Sequence, residues 1–245
     1  MSNETLWFRD FDVGEDEAKQ VWDKSGNGAT GTFTGDAGFN LLPGFGRVLR
    51  FPEGAHGARV EWFNTTAIDT MQVTLSIGIS FTKFSNKPSI LVDKDQAFRF
   101  WFEGSDNVPT FSVFVEGVWH ALKADRPLEL EKEYWVTCNY NNGTIQIMAN
   151  AVLVANAAIT TGGANPSGSK LTLGDYHSGG WQFEGEVTEL MFRNTITTPE
   201  QHRLDLLRSK EPSVRSVIEL LEIDLPSGTL RFTTNPTPLT LTVRP

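Results

Sequence analysis

Between Met71 and Phe84 the chain alternates, with Met71, Val73, Leu75, Ile77, Ile79 and Phe81 on one parity and Gln72, Thr74, Ser76, Gly78, Ser80 and Thr82 on the other. A period of two belongs to a strand with one face on a core and one toward water, so this segment predicts a half-buried strand. The same alternation sets Phe98, Phe100 and Phe102 on one face of a strand and Phe111, Val113 and Val115 on one face of the next. Glu103-Gly104-Ser105-Asp106-Asn107 reads as the turn between them. Tyr134, Val136, Cys138 and Tyr140 alternate up to Asn141-Asn142-Gly143, and Ile145 and Ile147 resume the pattern, which predicts a hairpin. Further strands are predicted over Lys170 to Gly174 and Phe183 to Phe192. In the second of these the inward set passes from Phe183 and Val187 to Leu190 and Phe192, a change of parity that calls for a bulge near Thr188.

One helix is legible. Thr198 is placed to cap it, Pro199 takes its first position, Gln201 completes a capping-box pattern, and Leu204 and Leu207 form its apolar face. Beyond it, Ser213 to Leu225 fits a helix through Val214, Val217, Ile218 and Leu221, or a strand through Leu221, Ile223 and Leu225. Pro226-Ser227-Gly228-Thr229 then reads as a turn and Leu230 to Thr234 as a returning strand. Regular strands at short spacing, with no alternation of strand and helix, predict an all-β fold of two antiparallel sheets packed as a sandwich. It carries one short helix and a terminal β hairpin. Residues 1–210 are read as one domain and 211–245 as a β extension too small to bury its own apolar face, hence an assembly element.

The 245 residues suffice for one large sandwich, and 17 Phe and 7 Trp among 22 Gly and 12 Pro suit strands joined by tight turns. A net charge of −9 excludes a phosphate-tracking surface and with it nucleic acid; neutral polyhydroxyl ligands and cations are easier partners. The single cysteine, Cys138, lies in the apolar run Tyr134 to Tyr140 and is read as a core filler, with no intramolecular disulfide to form. Met1 to Asp10 carries the acidic Glu4 and no apolar run, so no secretory signal is expected, and no window is apolar enough to span a membrane.

Four segments in order resemble laminin-G-like and pentraxin-like domains of the concanavalin A-type jelly roll. They are Trp22 to Gly28, an opening turn; Glu133 to Tyr140; Ile145 to Ala155, where Asn150-Ala151 stands for the family's Asn-Gly or Asp-Gly turn; and Leu173-Gly174 with Phe183-Glu184-Gly185-Glu186-Val187 and Glu200. The resemblance covers roughly residues 20 to 208 and implies a lectin-like fold that binds carbohydrate. Calcium is the ion usual to such domains; Asp93 and Asp95, before the Phe98 strand, are the residues that would hold it here. A second segment, Ile218 to Asn235, resembles the opening strands of some tailed-phage tail-tip proteins and implies a virion context.

The loop Asp175-Tyr176-His177-Ser178-Gly179-Gly180-Trp181 joins a carboxylate, glycines and aromatic rings at the rim of the sandwich. Sugars stack on aromatic faces while carboxylates and amides take their hydroxyls, so Asp175, Tyr176, His177 and Trp181, with Asp106 and Asn107 of the earlier turn, are the candidate glycan contacts. The alternative is that Trp181 caps the core. Glu184-Gly185-Glu186-Val187-Thr188-Glu189 is similar to a strand motif of jelly-roll glycoside hydrolases, with Glu where those enzymes have a central Asp and at the wrong place in the fold; the acids are read as decorating the outer face. His56, His120, His177 and His202 have no zinc-ligand spacing. The expectation is therefore a non-enzymatic, lectin-like module of a phage virion or tail, assembled in the host cytoplasm. It would contact host surface carbohydrate and join other virion subunits or itself through 211–245. A structural decoration protein without ligand and a jelly-roll glycoside hydrolase or lyase are the alternatives.

Overall fold

The computed structural model describes residues 6–9, 20–42, 46–54, 57–63, 68, 72–81, 83, 87–104, 107–210, 229–232 and 239–242. The chain divides into two compact units, Met1–Lys210 and Glu211–Pro245. In the first unit one eight-stranded sheet runs β14 (Val152–Ala158), β13 (Thr144–Ala149), β12 (Glu133–Asn141), β7 (Gln72–Phe81), β16 (Gly185–Arg193), β5 (Gly46–Phe51) and β4 (Gly38–Leu42). Its eighth strand, β1 (Leu6–Arg9), pairs with the second half of β16, and β5 with the first half. The other sheet runs β11 (Val118–Lys123), β10 (Pro109–Val115), β9 (Phe98–Phe102), β8 (Ser89–Lys94), β15 (Leu171–Leu173), β6 (Arg59–Trp62), β3 (Thr30–Thr34) and β2 (Gln20–Trp22).

Each sheet turns its apolar parity inward. Val73, Leu75, Ile77, Ile79 and Phe81 of β7 share one buried cluster with Phe98, Phe100 and Phe102 of β9 and Phe111, Val113 and Val115 of β10. Phe81 meets Phe102 edge to face at 4.6 Å between centroids, an arrangement the ring quadrupoles favour. Cys138 is fully buried in the central strand β12, and burial raises its thiol well above the ordinary range. The β12–β13 hairpin turns on Asn142 and Gly143, both at positive φ, as a tight two-residue turn needs.

The register of β16 on β7 shifts between Val187 and Glu189, where the change of parity predicts the bulge. Gly78 of β7 makes room for it, since a Cβ there would stand 2.2 Å from Thr188 Oγ1. Of the strand expected over Met71 to Phe84, Met71, Thr82 and Phe84 lie outside the described residues.

β7 departs from the half-buried expectation, because Thr74 and Ser76 on its polar parity are as buried as the apolar set. The segment 194–198 and helix α1 (Pro199–Lys210) lie over that face and satisfy it with hydrogen bonds. Asn139 Nδ2 donates to the Thr197 carbonyl (2.9 Å), Ser76 and Thr137 hydroxyls meet at 2.8 Å, and His202 Nδ1 lies 2.7 Å from Thr137 Oγ1. The Ala151 N–H donates to His202 Nε2 (2.8 Å), so the imidazole hydrogen is on Nδ1, donated to Thr137.

For the same reason the apolar face expected of α1 is corrected. Leu204 and Leu207 are 54% and 51% exposed, whereas His202 and Asp205 face inward and are buried. Thr198 does cap the helix, accepting from the Gln201 N–H (3.2 Å). Gln201 does not close the box; its side chain donates to Asp205 Oδ1 one turn on, beside the bidentate Arg193–Asp205 pair (2.6 and 3.0 Å). In the second unit β17 (Thr229–Phe232) pairs with β18 (Leu239–Thr242), so the strand expected over Leu230 to Thr234 finds its partner after it. Residues 213–228, the ambiguous stretch and the turn after it, lie outside the described residues.

Candidate functional site

In β9 the phenylalanines at 98, 100 and 102 face the core, so the period of two turns Arg99 and Trp101 to the outer face of their sheet. Register then lays one polar row across that face: Ser112 opposite Arg99, Arg99 opposite Asp93, Asp93 opposite Thr172, Thr172 opposite Glu61. The Asp175–Trp181 loop leaves β15 and comes down on this row. Its base is tied by Phe183 N–H to Gly174 O (2.8 Å) and its end by Ile90 N–H to Trp181 O (2.7 Å). Asp175 closes the loop from within, Oδ1 accepting from the N–H groups of Tyr176 (2.7 Å) and Trp181 (2.9 Å). Gly179 and Gly180 turn it at φ of 85° and 94°, a region that favours glycine.

The loop is fastened to the row through Asp93. Its Oδ2 accepts from His177 Nδ1 (2.7 Å) and from the His177 N–H (3.2 Å), and its Oδ1 pairs with Arg99 Nε (2.7 Å). The Arg99 guanidinium in turn lies over the rings of Trp119 (4.7 Å) and Tyr176 (4.8 Å). Tyr176 stacks on Trp181 with centroids 5.0 Å apart and planes 22° from parallel. Four planar groups thus pack in series, Trp119, Arg99, Tyr176 and Trp181, over a buried carboxylate. Trp181, 38% exposed and no part of the core cluster, keeps ring surface open to water. Beside them Glu61 Oε1 accepts from Arg59 Nε (2.6 Å) and Lys170 Nζ (2.5 Å). Burial pushes the Glu61 carboxyl up, but these two cations outweigh it and hold it below the ordinary value.

The loop residues named from the sequence, Asp175, Tyr176, His177 and Trp181, therefore fall together, and Asp93 joins them as their anchor. Asp93 and Asp95 do not fit a calcium ion. Both Asp93 oxygens are committed to Arg99 and His177, so a cation there would face a guanidinium. Among the described residues no group of three or more His, Cys, Asp or Glu side chains is placed to hold a metal. Asp95 sits in the β8–β9 turn, where its carbonyl accepts from the Ser167 hydroxyl. Asp106 lies outside the described residues, and Asn107 belongs elsewhere, its carbonyl accepting from the Leu128 N–H (3.2 Å). A cavity of about 250 Å³ lined by Pro109, Pro127, Leu128, Tyr134 and Val154 shares no residue with the aromatic cluster. The Glu184 to Glu189 acids are taken up locally: Glu184 by the Gly54 N–H, Glu186 by Asn40 and Glu189 by Trp7 Nε1. Glu189 is buried rather than decorating the surface, because Trp7 of β1 lies against it. Arg59, Arg99 and Trp119 escape a reading of the sequence; only the outward parity of Arg99 between two core phenylalanines marks it.

Residues 54–201 match the family Laminin_G_3, described as the concanavalin A-like lectin/glucanases superfamily. No curated protein matches the chain. Among solved structures, domain 4 of AbnA, a GH43 extracellular arabinanase from Geobacillus stearothermophilus, in complex with arabinotriose, aligns with a TM-score of 0.65 at 15% identity over 82% of this chain and 96% of that one. The binding domain of botulinum neurotoxin serotype C1 aligns with a TM-score of 0.65 at 14% identity over 84% of this chain. The chain spans 52% of that toxin domain. A botulinum neurotoxin type C structure, whose cell entry depends on interaction with two ganglioside molecules, aligns with a TM-score of 0.63 at 14% identity, over 83% of this chain and 50% of that one. At these identities the likeness is one of fold, and the family match covers more than half of the sequence. The chain belongs to the concanavalin A-like lectin/glucanases superfamily.

Proposed function

We propose that this protein is a non-enzymatic glycan-binding module whose contact surface is the Trp181 end of the aromatic stack. The observation that carries this reading is the stack itself: an exposed indole held flat by Tyr176, which Arg99 holds in turn over Asp93. A rigid ring with one side on protein and one in water is the platform on which a sugar ring stacks. Arabinotriose and gangliosides, named with the two similar folds, are consistent with carbohydrate as the ligand class. The test is a glycan array followed by turnover assays on every hit. Retention without product release is expected, and Trp181→Ala should weaken affinity about tenfold, or about 1.4 kcal/mol. Its melting temperature should move by less than about 2 °C, since the ring lies outside the core. Unchanged affinity or released product would overturn the reading.

The finer reading carries this module on a phage virion, as a tail component that contacts host carbohydrate. It is supported by the likeness of Ile218 to Asn235 to opening strands of tail-tip proteins. Neighbouring tail or capsid genes would support it, and their absence would sink it.

A further inference from the structure

Resting on the glycan-binding reading, we propose that Arg59 and Asp175 form the polar half of the same site and select a neutral sugar through adjacent hydroxyls. Asp175 is 1% exposed, and while its Oδ1 takes the Tyr176 and Trp181 N–H groups, its Oδ2 has no hydrogen-bond partner among the described residues. A buried carboxylate oxygen left without a donor is unfavourable, and it is the kind of atom a bound hydroxyl or water completes. Arg59, at the start of β6, is held through Nε alone, so among the described residues its two terminal amino groups have no protein acceptor.

These two groups flank one point in the loop. A Cβ on Gly179 would lie 3.6 Å from Arg59 Nη1 and 3.7 Å from Asp175 Oδ2. Gly179 carries no side chain and sits at positive φ, with its N–H turned back to the Tyr176 carbonyl (2.8 Å). Bare backbone therefore separates an unmatched donor from an unmatched acceptor, two residues before Trp181. One hydroxyl of a sugar seated over Gly179 donates to Oδ2, and its neighbour accepts from Nη1. The charge arrangement gives acidic sugars no advantage. Two cations, Arg59 and Lys170, stand with two carboxylates, Glu61 and Asp175, so a ligand carboxylate finds no uncompensated positive charge.

Calorimetric titration of the full chain with paired neutral and carboxylate-bearing oligosaccharides tests this, using the wild type, Trp181→Ala, Asp175→Asn and Arg59→Gln. Asp175→Asn keeps an acceptor at Oδ1 for the two loop N–H groups and replaces the Oδ2 acceptor by a donor. Neutral glycans should bind best to the wild type, and Asp175→Asn and Arg59→Gln should each weaken them tenfold or more; in Arg59→Gln the Glu61 carboxylate keeps Lys170, so the fold is retained. Should Asp175→Asn disturb the loop, seen as altered near-ultraviolet dichroism of the Tyr176–Trp181 stack, Arg59→Gln alone decides. Wild-type affinity in Arg59→Gln while Trp181→Ala is impaired overturns the proposal and leaves the glycan reading intact. Preference of the wild type for carboxylated sugars also overturns it. No binding of any glycan by the wild type refutes both together.

Discussion

Asp93 has no surface in water, yet each of its oxygens has a charged or polar partner, and those partners hold the aromatic stack. Removing one member of such a buried pair leaves the other uncompensated, which is costlier than the pair is favourable. Asp93→Ala is therefore expected to cost about 3 kcal/mol in urea unfolding and to broaden the near-ultraviolet dichroism of Trp119, Tyr176 and Trp181. A loss below about 0.5 kcal/mol, the range of ordinary surface changes, would show that the network contributes little. Two acids before a strand read as cation ligands in the sequence because the spacing of Asp93 and Asp95 carries no trace of what neutralises them. The neutralising group, Arg99, is a cross-strand partner fixed by register, and His177 arrives from 84 positions away. The loop itself was legible, since its aromatic and glycine content is local.

Helix α1 inverts the usual amphipathic logic. It lies on a sheet face whose polar parity is Thr, Ser and Asn, so it meets that face with His202 and Asp205 and leaves Leu204 and Leu207 outside. Its start was legible because capping is a contact over three residues; its buried side was not, because that depends on which face of which sheet it crosses. The burial of His202 has a consequence in pH. Desolvation lowers its pKa from 6.5 to about 4, against the opposing pull of Asp205. Between those values the unfolded chain takes up a proton that the folded chain refuses. The stability due to neutral His202 is thus complete above about pH 6.5 and falls steadily as pH drops toward 4, by about 3 kcal/mol in all. His202→Gln should flatten the unfolding free energy across that window relative to the wild type. Parallel pH profiles for the two proteins would contradict the assignment. Arg193, whose guanidinium is paired with Asp205, faces the same region and stays charged throughout.

Across the whole molecule, the alternation of Phe, Val and Ile was enough to foresee two antiparallel sheets and the bulge in β16. The order of strands within each sheet was not, because β7 lies between β12 and β16, partners tens of residues away that no local pattern names. The one cysteine sits in β12, beside β7, fully enclosed and with its thiol raised well above the ordinary range. Only the thiolate reacts readily, and only an opening that parts the two sheets brings this one to solvent. Cys138 is therefore a built-in clock for global unfolding, readable with a thiol reagent and no added probe. Applied to a chain ended after Lys210, it separates two roles for residues 211–245. Labelling as slow as in the full chain, with lost self-association by light scattering, is expected of an assembly element. Fast labelling would mean that the sandwich keeps time only with its tail in place.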